Sequence, residues 1–259
     1  MNIPLHQLID FTLSLADSNL ILAQRNAEWC AHGPILEQDI AITNISLDLL
    51  GQSRNFYQYA AELINQQGNN VGNSASEDSL AYLRTEREFK NLLITELPGG
   101  DWAQTILKQF LYSVYQYQLY EQLLKINDEQ LSAIAEKSIK ETTYHLRWSS
   151  EWVLRLGDGT AESQQRMIKA LEYLWPYTGE FFIPADYEAG LTDLVSLKEQ
   201  WLKEVNNILR EATLISTENN NLETLYMQTG GKQGVHTEHM GFILTDLQYL
   251  QRTYPGANW

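Results

Sequence analysis

Apolar positions recur at intervals of three, four and seven along most of this 259-residue chain, the period of α-helices that bury one stripe. The clearest stretch runs from Leu131 to Val153, with Leu131, Ile134, Ala135, Ile139, Leu146 and Val153 on the apolar side. Nowhere do apolar and polar residues alternate as they would in a half-buried strand. All six prolines, Pro4, Pro34, Pro98, Pro176, Pro184 and Pro255, fall where a helix would start or stop.

Between those breaks the pattern predicts long helices: about Leu5–Ala31, stopped by His32-Gly33-Pro34; about Ile35–Asn65; Glu77–Leu97, closed by Pro98-Gly99-Gly100; and Asp101 (as N-cap) to Lys125. Asn127-Asp128 turns into the Leu131 helix, which closes at Gly157-Asp158-Gly159. Further helices are expected over Thr160–Tyr173, Asp193–Thr213 and Thr237–Arg252. The segments 66–76 and 216–221 are polar loops by composition. Trp175–Phe182, aromatic and flanked by Pro and Gly, belongs either in the core or on a docking patch. The fold class is all-α, a bundle of long antiparallel core helices, and the absence of a Pro/Gly/Ser-rich linker favours one domain over 1–259.

Composition narrows the function. Hydrophobic residues make up 44% of the chain, enough for a sizeable core, with no run long enough to span a bilayer and no secretory leader pattern at the N-terminus. The formal net charge of −15 repels phosphate backbones and anionic lipid, so nucleic acid and membrane are excluded as partners. The lone Cys30 forms no internal disulfide, which agrees with a cytoplasmic location.

Candidate chemistry begins with Glu141 and His145, one helical turn apart beside the apolar stripe. Asp48, set among Ile45, Leu47, Leu49 and Leu50, and Glu86, on a stripe with Tyr82, Phe89 and Leu93, are further candidates for interior carboxylates. A long-helix bundle with interior carboxylates suggests a dimetal oxygenase, whose ligand set demands histidine three residues after glutamate, twice. None of the five histidines, His6, His32, His145, His236 and His239, has an acidic residue at that position. An all-carboxylate site stays open, but the favoured expectation is a set of interior polar residues, Asp48, Glu86, Glu141 and His145, paired with each other or with Arg54, Arg84, Arg87, Lys90, Lys140 or Arg147. Gly230-Gly231-Lys232-Gln233-Gly234 before a helix is either an anion-binding loop or a flexible turn. His236 and His239 supply two ligands at most, so an interface or capping role is the safer expectation.

Several passages carry a resemblance: Gln24–Cys30, Asn44–Gln52, Asp78–Phe89, Lys140–Arg147, Thr229–His239, and the ending Leu250-Gln-Arg, Pro255-Gly256 and Trp259. Over nearly its whole length the chain resembles the structural C subunits of the multicomponent phenylacetyl-CoA epoxidases of bacterial phenylacetate degradation. The resemblance implies a ferritin-like bundle that pairs with a catalytic A subunit of similar fold. It places the diiron site and the epoxidation of the aromatic ring in that partner. It also implies a small bridging B subunit, a reductase component with FAD, iron–sulfur centre and NADPH, no metal or cofactor in this chain, and at most an indirect part in holding phenylacetyl-CoA. On this view Asp48, Glu86, Glu141 and His145 are a vestigial interior cluster. The alternatives are an active carboxylate-rich dimetal oxygenase and a free-standing helical adaptor.

Overall fold

Two long helical hairpins make the centre of the molecule. A computed structural model of the chain describes residues 3–68, 74–216 and 226–257, and so leaves much of the two expected polar loops, 66–76 and 216–221, outside the described residues. Helices α1 (Leu5–Ala27) and α2 (Leu36–Gln66) form the first hairpin, and α5 (Trp102–Leu123) and α6 (Glu129–Gly157) the second. Between them lie α3 (Glu77–Tyr82), a 3₁₀ turn at Glu86–Glu88 and α4 (Leu93–Glu96); α7 (Ala161–Leu174), α8 (Leu194–Glu211) and α9 (Glu238–Thr253) follow. Among the described residues there is no strand, as the patterning predicts.

The caps explain why the later helices begin where they do. Asp101 accepts from the Gln104 N–H, Asp128 from Leu131, Thr160 from Ser163, Asp193 from Ser196 and Thr237 from His239, each satisfying a donor that helical bonding leaves free.

Small serines let α1 and α2 approach closely. The hydroxyl of Ser46 donates to the Ala23 carbonyl at 2.5 Å and that of Ser53 to Ala16 at 2.9 Å. Across α2 and α6 the Trp148 indole donates to Gln38 (3.1 Å) and the Tyr59 hydroxyl to Asp128 (2.7 Å), which fixes these helices antiparallel. Because α2 is antiparallel to α6, and α6 to α5, helices α2 and α5 run parallel, and the passage between them has to run the bundle's length. This single long crossover is the ferritin-like arrangement. The buried apolar residues of both hairpins and of α7 to α9 form one contiguous cluster.

The continuous helix expected from Glu77 to Leu97 is a correction. It breaks after Tyr82, and the chain is non-helical from Phe89 to Leu92, with extended backbone at both of those residues. Asp17, wholly buried on α1, accepts two bonds from the Arg84 guanidinium, one from the Tyr57 hydroxyl (2.6 Å) and one from the Lys90 N–H (2.8 Å). A backbone N–H held by a distant carboxylate cannot also donate within a helix, so the segment folds down onto α1. The first helix is likewise shorter than expected, ending at Ala27 rather than Ala31, where Ala31 takes a positive φ of 66°.

The Trp175–Phe182 passage resolves as core at its key rings. Trp175 and Phe181 are buried, and Trp201 of α8 meets Trp175, Phe181 and Phe182 with ring centroids 5.6, 5.8 and 5.4 Å away.

Candidate functional site

Four helices each send a polar side chain into the bundle centre: Asn19 from α1, Gln52 from α2, Gln116 from α5 and Glu141 from α6. Tyr112 and Tyr120 of α5 close the group. Asn19 Oδ1 accepts from the Tyr112 hydroxyl (2.8 Å) and from Gln116 Nε2 (2.7 Å). Gln52 Oε1 accepts from Gln116 Nε2 (3.0 Å) and the Tyr120 hydroxyl (3.1 Å), while Gln52 Nε2 donates to Glu141 Oε2 at 2.9 Å. Asn19 Nδ2 donates to the Tyr120 oxygen at 3.1 Å, and the Thr142 hydroxyl lies 3.4 Å from Gln116 Oε1. Burial pushes the Tyr112 and Tyr120 hydroxyls above the ordinary phenol range, so both stay protonated donors.

The donor set does not fit a dimetal centre. Such a site in a four-helix bundle takes four glutamates and two histidines, whereas these positions hold three neutral amides and a single carboxylate. The amide oxygens of Asn19 and Gln52 already accept two bonds each. The third residue after Gln52 is Asn55 and that after Glu141 is Tyr144. Among the described residues no group of three or more His, Cys, Asp or Glu is placed to hold a metal ion.

Of the sequence-expected residues, Asp48 and His145 pair with each other, Glu141 joins the amide network and Glu86 stands apart. Glu141 and His145 do face α2, but as successive rungs of one ladder: Glu141 meets Gln52, and His145 Nε2 lies 3.0 Å from Asp48 Oδ2. With a carboxylate facing it, Nε2 is the donor, and among the described residues the buried Nδ1 has no hydrogen-bond partner. His145 is wholly buried, but Asp48 keeps 35% of its side chain exposed and Leu47 and Leu50 face outward, so Asp48 does not sit among apolar neighbours as expected. Glu86 is exposed on the 3₁₀ turn and joins neither rung, because the helix that would have carried it inward is broken. Of the basic residues expected as partners, Arg54 pairs with Glu77, Arg84 with Asp17 and Lys90 with Asp10.

The glycine-rich loop does bind an anion, and the anion belongs to the chain. Glu180 Oε1 accepts from the N–H groups of Gly230 (2.8 Å) and Gly231 (2.7 Å), with that of Lys232 at 3.4 Å, and Oε2 accepts from Leu93 (2.8 Å). A Cβ at Gly231 would collide with the Asn91 carbonyl, and Gly234 turns the chain with φ of 74°. Burial pushes the Glu180 carboxyl upward, against the pull of those N–H groups and of Lys232. The Lys232 ammonium is buried and donates to Glu188 (2.8 and 2.9 Å) and to the carbonyls of Ile183 (2.9 Å) and Phe181 (3.2 Å). Neither the loop nor the lysine is free for an external ligand.

His236 Nε2 lies 3.0 Å from the Phe89 carbonyl, and its Nδ1 is 3.3 Å from the buried Glu96 carboxylate. Burial alone would lower this imidazole's pKa, but Glu96 and the carbonyl outweigh it and raise the value. In the first turn of α9 the His239 N–H donates to the Thr237 hydroxyl, so Thr237 and not a histidine side chain caps the helix.

The sequence profile of the family described as Phenylacetic acid catabolic protein matches residues 3–259. The chain belongs to that family. A curated relative, the C subunit of the 1,2-phenylacetyl-CoA epoxidase of Escherichia coli (strain K12), is 44% identical over 261 residues, covering 98% of this chain and 100% of that protein. At the centre of the bundle is the amide network, which none of the sequence-expected site residues except Glu141 announced. Its signal lay in α5, where Gln109, Tyr112, Gln116 and Tyr120 recur at three- and four-residue intervals on the inner side of an apolar helix.

Proposed function

We propose that this chain is the non-catalytic C subunit of a phenylacetyl-CoA epoxidase. In that role it supports a catalytic subunit that carries the diiron site and epoxidises the aromatic ring, with a small bridging subunit and a reductase as further components. The observation that carries the reading is the end-to-end match to the Escherichia coli C subunit, which leaves almost no part of either protein over. The bundle centre supports it, since three neutral amides and a single carboxylate do not make the ligand set of a dimetal site. Cytoplasmic residence belongs to the same proposal, as does an indirect rather than direct part in binding the coenzyme A ester.

The test is metal analysis of the chain purified from iron-rich cells, alone and after co-expression with the catalytic subunit, together with epoxidase activity of the reconstituted complex. The expected result is no iron and no activity for the chain alone, and about two irons for each pair of subunits, as a dinuclear centre requires. Two irons in the isolated chain would overturn the reading.

A further inference from the structure

Helix α2 is apolar on the side that faces away from the core as well as on the side that faces it. Leu36, Ile40, Leu47 and Leu50 are 71%, 51%, 60% and 46% exposed. Their spacing of four, seven and three places them on one helical face. Such a stripe, sustained over four turns, is the form apolar residues take when another helix covers them.

Gly51 lies on the same face, one turn after Leu47. A Cβ built there meets nothing within 4 Å, and the residue continues a helix on both sides. Glycine inside a helix is unfavourable relative to alanine, and among the described residues nothing lies close enough to Gly51 to require it. A small residue at the C-terminal end of an exposed apolar stripe leaves room there for close approach of a second backbone.

The neighbouring helix supplies the charge. Lys137, Lys140, Tyr144 and Arg147 of α6 follow one another at three- and four-residue intervals on its outer side and are exposed. Among the described residues the three cations have no ion pair, and Arg147 lies over the Tyr144 ring at 5.9 Å. In a chain of net charge −15, a ridge of unpaired cations beside an apolar stripe is a local reversal of sign. The half-exposed Asp48 and its His145 partner lie along the seam between the two helices.

We propose that the outer face of α2 and α6 docks the catalytic subunit, through an apolar helical surface of that subunit whose margin carries carboxylates. The stripe supplies the desolvated centre, Gly51 the point of closest helix approach, and the α6 cations the polar rim that fixes orientation. This rests on the subunit reading above.

The test co-expresses tagged chain with the catalytic subunit and measures association of the purified pair, for wild type, Leu47→Glu, Gly51→Gln and the charge reversal Lys140→Glu/Arg147→Glu. All four positions are exposed, so helical content and melting of the isolated variants serve as the folding control. The expected result is association weakened about tenfold or more by Leu47→Glu and by Gly51→Gln, with a smaller loss and reduced salt sensitivity for the charge reversal. If wild type binds and the folded variants bind equally well, the surface is refuted while the subunit reading stands. If wild type does not bind the catalytic subunit, both fall. A homodimer of the isolated chain that Leu47→Glu abolishes would put a second copy on this face and overturn the proposed occupant.

Discussion

Arg84 offers the sharpest test of how the crossover is held. Its guanidinium donates twice to the buried Asp17 carboxylate, and to the carbonyls of Leu80 (2.6 Å) and Glu88 (2.8 Å), and it lies 4.2 Å from the Phe89 ring centre. Arg84→Met keeps much of the apolar stem but removes every one of those donors. Asp17 would retain only the Tyr57 hydroxyl and the Lys90 N–H, an anion in the core without its cation. Breaking a buried pair from one side costs about 3–5 kcal/mol. For a chain of this size each kcal/mol moves the melting temperature by about 2–4 °C, so the expected drop is on the order of 10 °C. Arg84→Lys should recover little, because an ammonium cannot make the paired contacts or stack on Phe89.

The measurement is thermal and urea unfolding followed by circular dichroism, on Arg84→Met, Asp17→Asn and the double variant. If the penalty arises from an uncompensated charge, the double variant should be more stable than Arg84→Met, since it leaves no buried anion. Arg84→Met within about 1 kcal/mol of wild type, the range of ordinary substitutions, would refute the reasoning. So would a double variant no more stable than the single.

Three further outcomes follow from buried titratable groups and from α2. Burial, with the Arg25 charge adding and Glu28 opposing, pushes the Lys108 ammonium down to about 7, where it donates to the Leu97 carbonyl at 2.6 Å. The unfolded chain therefore holds a proton that the folded one releases, so stability should rise as pH climbs from about 7 towards the ordinary 10.5. Lys108→Met should flatten that rise, and parallel curves for the two proteins would count against it. His236 has the opposite sign: its raised pKa contributes stability that is full below 6.5 and is lost as pH rises through the folded value. His236→Gln should remove that loss, as read from urea midpoints across this window. Gly51→Ala should stabilise the isolated chain by about 0.5–1 kcal/mol, measured by urea unfolding, and destabilisation would mean that the glycine has an internal role.

The long helices were legible because each carries a period and a cap within its own sequence. Asp101 and Asp128 announce α5 and α6, and the apolar positions of Leu131 to Val153 assign the buried side correctly. The break after Tyr82 was not legible, because its cause is Asp17, which is 67 residues from Arg84 along the chain. Local pattern favoured a helix there and a distant carboxylate overrode it. The same holds for the glycine-rich loop. Its exposed N–H groups do suit an anion, as the local pattern suggests, but Glu180, 51 residues before Gly231, already fills the place. The Glu141 and His145 positions were placed on the right face, while their partners on α2 could not be assigned from spacing.

That the bundle centre holds three amides and a single carboxylate also bears on why such a chain suits a supporting role. A carboxylate-lined interior is stable only when cations or metal offset its charge, so its fold depends on loading. Asn19, Gln52 and Gln116 instead exchange donors and acceptors among themselves and with Tyr112 and Tyr120, none of which changes charge near neutral pH. The four helices are thus tied together by amide and phenol hydrogen bonds at the place where a dimetal bundle would hold them through its ligands. Gln116→Glu would put a carboxylate opposite the oxygens of Asn19 and Gln52, which now accept from its amide at 2.7 and 3.0 Å. A carboxylate there has no proton to donate to either unless it takes one up. The substitution should therefore destabilise the chain at neutral pH, by about 1–3 kcal/mol for each buried group left unpaired, and less at acid pH, where the side chain protonates. Urea unfolding at the two pH values reads this difference directly. An equal loss at both would mean that packing, not the donor and acceptor pattern, fixes the centre.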